Sequence, residues 1–222
     1  MLRNTQKIRE MYEDIQRKLF YMIPEKWDKL YLYSSVIEQL AKVETGELFF
    51  YYIPKGILRK NPINVYEIPS KFNIEEANYL KLVELLYGSI KKLREEFRKT
   101  GQELWSDLTI SIENMKFKVE YGYENLQNSR YDSYERHIIW RYKYLNLQIE
   151  HLPKEERKIL KRYLEEKEMY EENNKEVYEE GIYIKDIKNM VDFNTDINED
   201  VQNVEYVASK GNKINKNQIL RF

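Results

Sequence analysis

The stretch from Leu108 to Glu124 constrains this chain more than any other. Leu108, Ile110 and Ile112 alternate with Thr109, Ser111 and Glu113, and Phe117, Val119, Tyr121 and Tyr123 alternate with Lys118, Glu120 and Glu124. A period of two is the pattern of strands with one buried face. With Asn114-Met115 as the turn, Ile112 faces Phe117, Ile110 faces Val119 and Leu108 faces Tyr121 on one side. The other side then pairs Glu113 with Lys116 and Ser111 with Lys118. A one-residue slip would turn every apolar side chain to the wrong face, so the agreement of register and polarity supports a hairpin.

The surrounding segments supply more sheet and its cover. Residues 5–22 read as a helix, with Ile8, Met11, Tyr12, Ile15, Leu19 and Met22 at three- and four-residue steps; Pro24 ends it. A second helix is expected to start at Asn73 as N-cap, with Glu76 three residues on, and to stop at Gly101. Its stripe is Leu80, Val83, Tyr87, Ile90, Leu93 and Phe97. Lys29–Ser34, Glu47–Ile53 and Asn64–Ile68 are further strand-prone runs. A third helix starts near Asp132, with Glu135 three residues later. Tyr134, Ile138, Tyr142 and Leu145 form one apolar side, and His137, Trp140 and Tyr144 a second; such a helix is either sandwiched or offers one side to a partner. Pro153 opens a fourth, whose early turns carry Ile159, Leu160, Tyr163 and Leu164. The expected class is α+β: an antiparallel β-sheet of about five strands packed with α-helices, followed by a C-terminal helical extension and tail.

Beyond residue 165 the composition changes. Residues 165–180 hold eight Glu against two Lys, the pattern of a solvated helix. Ile182-Tyr183-Ile184 reads as a short strand, and 192–205 is acidic and Asn-rich. The last fourteen residues carry Lys210, Lys213, Lys216 and Arg221 without an acid, and are expected to be loosely ordered or docked on a partner. The expected division is therefore 1–165 as the α+β domain and 166–222 as acidic extension and tail.

Composition excludes several classes of function. The absence of cysteine removes disulfides, thiolate catalysis and cysteine-based zinc sites. No run approaches the ~20 apolar residues of a membrane helix, and the N-terminus lacks a signal peptide's apolar block, so the expected location is the cytoplasm. With a net charge of −1, the chain lacks the basic surplus of a nucleic-acid binder outside its last residues. Its twenty tyrosines suit strands, although tyrosine is also favoured at interfaces. Neither His137 nor His151 has a second metal ligand at helical spacing, and no Gly-rich phosphate loop or Gly-x-Ser-x-Gly elbow is present. No catalytic, cofactor-binding or metal-ligating residue is assigned, and the chain reads as a binding protein, not an enzyme.

Specific blocks narrow that reading. Met22-Ile23-Pro24-Glu25-Lys26-Trp27-Asp28-Lys29-Leu30-Tyr31-Leu32-Tyr33 joins the first helix to the first strand. Leu93-Arg94-Glu95-Glu96-Phe97 and Gly101-Gln102-Glu103-Leu104-Trp105-Ser106 lead into the hairpin. Tyr134-Glu135-Arg136-His137-Ile138-Ile139-Trp140-Arg141-Tyr142-Lys143-Tyr144-Leu145 is the third helix, with Leu152-Pro153 after it. In this order and spacing the blocks resemble the YezG/EsaG-type immunity proteins of Gram-positive bacteria, over roughly residues 7–165. Leu104 stands where that pattern has Pro, Asn146 where it has Gly, and the extension beyond 165 has no counterpart in it.

The resemblance implies an antitoxin that neutralises a type VII-secreted, LXG-type or related nuclease toxin by stoichiometric binding. The implied partner is that toxin, with no cofactor and no direct nucleic-acid contact; the oligomeric state stays open. Because nuclease sites are commonly basic, acidic groups with aromatic anchors are the expected contacts. The candidates are Glu113, Glu120, Glu124, Asp132, Glu135, Trp140 and Tyr144. Three of them have a structural alternative, Asp132 as a helix cap and Trp140 and Tyr144 as residues covered by the fourth helix; Trp27 and Trp105, outside the candidate set, read as core. The rival functions are a secretion chaperone or adaptor that holds a partner without inhibiting it, and a nucleic-acid-binding regulator resting on the basic tail.

Overall fold

A computed structural model describes residues 2–38, 44–56, 61–114, 116–179, 191–194 and 220–221. The described residues fall into two compact units, one of residues up to 127 with the C-terminal strands, the other beginning at Asn128.

In the first unit the expected hairpin forms in the expected register. Strands β4 (Asp107–Glu113) and β5 (Lys116–Gly122) pair Ile112 with Phe117, Ile110 with Val119 and Leu108 with Tyr121. Asn114 takes a left-handed conformation at φ 50°, which asparagine tolerates better than most residues. β4 pairs on its other side with β1 (Trp27–Glu38), which pairs with β2 (Glu44–Pro54). The short β3 (Ile63–Asn64) follows on β2, giving an antiparallel order β3-β2-β1-β4-β5. Two short additions extend this sheet: β6 (Val191–Asn194) along β5 and β7 (Leu220–Arg221) along β2.

One face of the sheet is covered by α1 (Leu2–Met22) and α3 (Glu76–Lys99). Ile15, Leu19, Val83, Leu86, Ile90 and Leu93 pack with Leu30, Leu32, Leu48, Phe50, Ile110 and Val119 in one core. The helices run antiparallel: Lys7 donates to Glu96 over 2.6 Å, the Ser89 hydroxyl donates to Asp14 over 2.8 Å, and the Tyr79 hydroxyl to the Met22 carbonyl over 3.3 Å. These contacts use polar groups to align two helices whose adhesion comes from apolar burial.

Two local expectations are corrected. Of the third strand-prone run only Asn64 is strand, at the end of β3; Val65–Glu67 turns in a 3₁₀ helix and runs into α2 (Ile68–Phe72). The Asn64 side chain accepts from the Tyr66 N–H at 3.1 Å and starts that turn, and proline in the first turn of α2 needs no N–H partner. Asn73 does not cap α3. It closes α2 in a left-handed conformation (φ 55°), and Glu75 precedes α3 without a side-chain cap bond. Asparagine serves either purpose, and a second short helix upstream decides which.

The second unit is a helical hairpin. α4 (Ser133–Leu145) starts with the expected capping box: Asp132 accepts from the Glu135 N–H at 2.9 Å, and Glu135 accepts from the Asp132 N–H at 3.1 Å. Asn146 at φ 57° ends it. α5 runs from Lys154 to Glu179, so the acidic stretch is helical as far as it is described. Ile138, Ile139 and Leu160 form the core of the hairpin, with Tyr131, Ile149 and Tyr163 at its margin. The strand expected at 182–184 and nearly all of the basic tail lie outside the described residues. Among the described residues no helix is long and apolar enough to cross a membrane.

Candidate functional site

The seven candidates divide between the units. Glu113, Glu120 and Glu124 belong to the first; Asp132, Glu135, Trp140 and Tyr144 belong to the second. Glu113 and Glu120 share the sheet face opposite α1 and α3, because each lies at an odd step from the core-facing residues of its strand.

Glu113 ends β4 and accepts from Lys29 at 2.8 Å and from the Tyr31 hydroxyl. Burial opposes its ionisation, but these two donors and the charges of Lys29 and Lys118 outweigh it and hold the carboxyl below its usual range. The same burial, reinforced by the carboxylate, pushes the Tyr31 phenol up. Glu120 lies 3.2 Å from Lys118. Glu124 is exposed just beyond β5, at the rim of a polar cavity of about 200 Å³ that Val36, Arg94, Ser106 and Leu126 also line. It makes no ion pair among the described residues.

In the second unit Asp132 and Glu135 hold each other in the capping box, and Glu135 also accepts from Arg162 of α5 at 2.8 Å. Both therefore have structural work to do. Trp140 and Tyr144 stand one turn apart with ring centroids 5.2 Å apart, tilted by 32°. Trp140 is buried and Tyr144 half-buried, and neither belongs to the apolar cluster that α4 forms with α5.

His137, about one turn before Trp140 on α4, is buried. Burial, then the charge of Arg141, push its imidazole down to about 3. In the unfolded chain a histidine titrates near 6.5, so between pH ~6.5 and ~3 the unfolded state binds a proton that the folded state refuses. The stabilisation is complete above pH ~6.5 and is lost as pH falls toward ~3. Denaturation of the wild type should show this acid-side slope, and His137→Gln should flatten it; equal slopes would exclude His137 as the source.

The charged candidates draw attention away from what the sheet does on the same face. Tyr31, Tyr33, Phe49 and Tyr51 are all buried there, with Tyr33 and Phe49 stacked at 4.7 Å. The signal was present: Leu48-Phe49-Phe50-Tyr51-Tyr52-Ile53 does not alternate, as expected of a strand buried on both faces. Arg94 was also overlooked. It is buried, donates from Nε to the Trp105 carbonyl at 2.7 Å, and lies 5.9 Å from the indole centroid. Phe97 and Tyr121 complete this cluster at 6.4 and 5.6 Å from Trp105, so Arg94, Phe97 and Trp105 of the second block meet in one piece of core. Trp27 packs 4.9 Å from Phe20 at the core's edge.

The geometry defines a class: an α+β protein with one antiparallel sheet, two long helices on one face and a capped helical hairpin as a separate unit. The particular family follows from comparison. The YezG-like immunity protein family matches residues 8–161, and the chain belongs to that family. Immunity protein YezG of Bacillus spizizenii (strain ATCC 23059 / NRRL B-14472 / W23) is 30% identical over 164 residues, covering 73% of this chain and 94% of the relative. Its namesake in Bacillus subtilis (strain 168) is 31% identical over 150 residues, covering 67% and 92%. Type VII secretion system protein EsaG of Staphylococcus aureus (strain NCTC 8325 / PS 47) is 26% identical over 140 residues, covering 62% and 81%. The family supports an immunity role with a protein partner, and its match ends inside α5.

Proposed function

We propose that this chain is a cytoplasmic antitoxin that binds a cognate type VII-secreted or LXG-type nuclease toxin and silences it by stoichiometric occupation, without turnover. The observation that carries the reading is the family match over residues 8–161, from α1 through β5 and α4 into α5, joined by near full-length coverage of two relatives named as immunity proteins. Residues 1–165 carry the activity in this reading, since 166–222 lies beyond the match.

The seven candidates contribute unequally. Glu113, Asp132 and Glu135 spend their charge on local partners, so their loss acts chiefly on the fold. Glu124 is exposed and unpaired among the described residues, and is the acid best placed to meet a basic nuclease surface. Glu120 in its surface pair is the other candidate of the first unit, and Trp140 and Tyr144 of α4 are the aromatic candidates of the second.

The test is titration of the toxin encoded beside this gene. Nuclease activity should fall linearly to an end point at one equivalent, as expected when Kd lies far below the assay concentration; the tightest nuclease–immunity pairs reach ~10⁻¹³ M. Glu124→Lys should slow association, most strongly at low salt. A tight complex that keeps full nuclease activity would instead identify an adaptor, and absence of binding would overturn both readings.

A further inference from the structure

The outer edge of β5 is where the C-terminal region adds to the sheet. β6 runs antiparallel along it, with Lys116 opposite Asn194, Phe117 opposite Phe193, Lys118 opposite Asp192 and Val119 opposite Val191. The register sets residues of matching type opposite one another at three of these positions. Phe117 and Val119 belong to the core that faces α1 and α3, and the residues opposite them are Phe193 and Val191. Lys118 lies on the other face, half-exposed, and the residue opposite it is Asp192. Aromatic, β-branched and opposite-charge pairs directly across a ladder are the favourable ones.

β6 also lies beyond residue 161, where the family match ends. The matched segment therefore contains β5 but not the strand that covers its edge. An uncovered edge presents unpaired N–H and C=O groups in register, a template for any extended segment of suitable pattern.

We propose that the β5 edge is a strand-accepting surface, that the ligand it takes is an extended segment with apolar residues opposite Phe117 and Val119 and an acid opposite Lys118, and that Val191–Asn194 of this chain is its resident occupant. β6 is then a tethered guard strand. It keeps the edge from pairing with other chains, and it leaves when a better strand arrives. A four-residue ladder held by a tether is short enough to exchange. This goes beyond the antitoxin reading and does not depend on it, because the surface and its occupant both lie in this chain.

The probe is a synthetic peptide spanning residues 189–196, labelled with a fluorophore and titrated against three full-length proteins. In the wild type the resident strand competes, and peptide binding is weak. Asp192→Lys puts like charges opposite each other and weakens the resident strand, while the peptide keeps its own aspartate; it should bind at least about tenfold more tightly. Combining Lys118→Glu with Asp192→Lys again puts opposite charges at facing register positions, with signs reversed, and sets like charge against the peptide's aspartate, so affinity should fall back to the wild-type level or below. Circular dichroism on each variant checks that the sheet is intact. Equal affinity for all three proteins, or no binding to Asp192→Lys, would overturn the proposal. Toxin titration of Asp192→Lys separates the two readings, since silencing of the nuclease bears on antitoxin function whatever the peptide does.

Discussion

Trp105→Ala will lower the unfolding free energy by about 3–5 kcal/mol, the cost of emptying a large aromatic site in a core that relaxes only partly. The indole is wholly buried and is bounded by Phe97, Tyr121 and the Arg94 guanidinium. Its loss also strips the packing that holds Arg94 against the Trp105 carbonyl, leaving a buried cation less well ordered. Urea denaturation should show a lowered midpoint with little change in slope. Trp105→Phe keeps most of the volume and should cost less. Since the ring has no exposed surface, any loss of toxin neutralisation by Trp105→Ala should follow the unfolded fraction and recover on cooling toward the temperature of maximum stability. A variant that is fully folded yet inactive would mean that Trp105 contributes to the partner surface.

Gly46→Ala is the second change of large expected effect, about 3 kcal/mol, at the upper end of what overpacking costs. Gly46 sits opposite Val36 in the β1–β2 ladder, where the Tyr87 hydroxyl donates to the Ser35 carbonyl at 3.1 Å. A Cβ at position 46 would lie 2.0 Å from the Tyr87 hydroxyl oxygen and 2.2 Å from the Ser35 carbonyl oxygen. The tyrosine can withdraw, but the carbonyl belongs to a central strand paired on both sides and cannot. Adding Tyr87→Phe to Gly46→Ala should therefore recover only part of the loss. Full recovery in the double variant would show that the hydroxyl alone made the site tight.

Much of the architecture was legible because its determinants are local. The β4–β5 register follows from alternation within sixteen residues, and all three core-facing pairs form as expected. The α4 capping box lies within four residues and forms with both of its bonds. The ordered blocks around Trp27, Trp105 and Trp140 lie within the segment matched by the family, 8–161. Asn73 and the run after Asn64 were misread because a cap and a turn use the same residue type, and the choice rests on what packs next.

The candidate site was legible only in part, for a physical reason. Whether an acid is available to a partner depends on who stands beside it, and for Glu113 that is Lys29 and Tyr31, 84 and 82 positions away in the chain. Glu135 is tied to Arg162 in the same way, across the α4–α5 hairpin. No local pattern reports such pairs, because they arise only when distant strands or helices are laid side by side. By itself the sequence determined the α+β class, the hairpin register and the family, all of which rest on short-range periodicity and ordered blocks. Only the tertiary structure decided which acids are occupied, that Trp105 is core, and that β1 and β2 bury aromatic residues on both faces of the sheet, because burial and pairing are set by neighbours that the chain brings together from far apart.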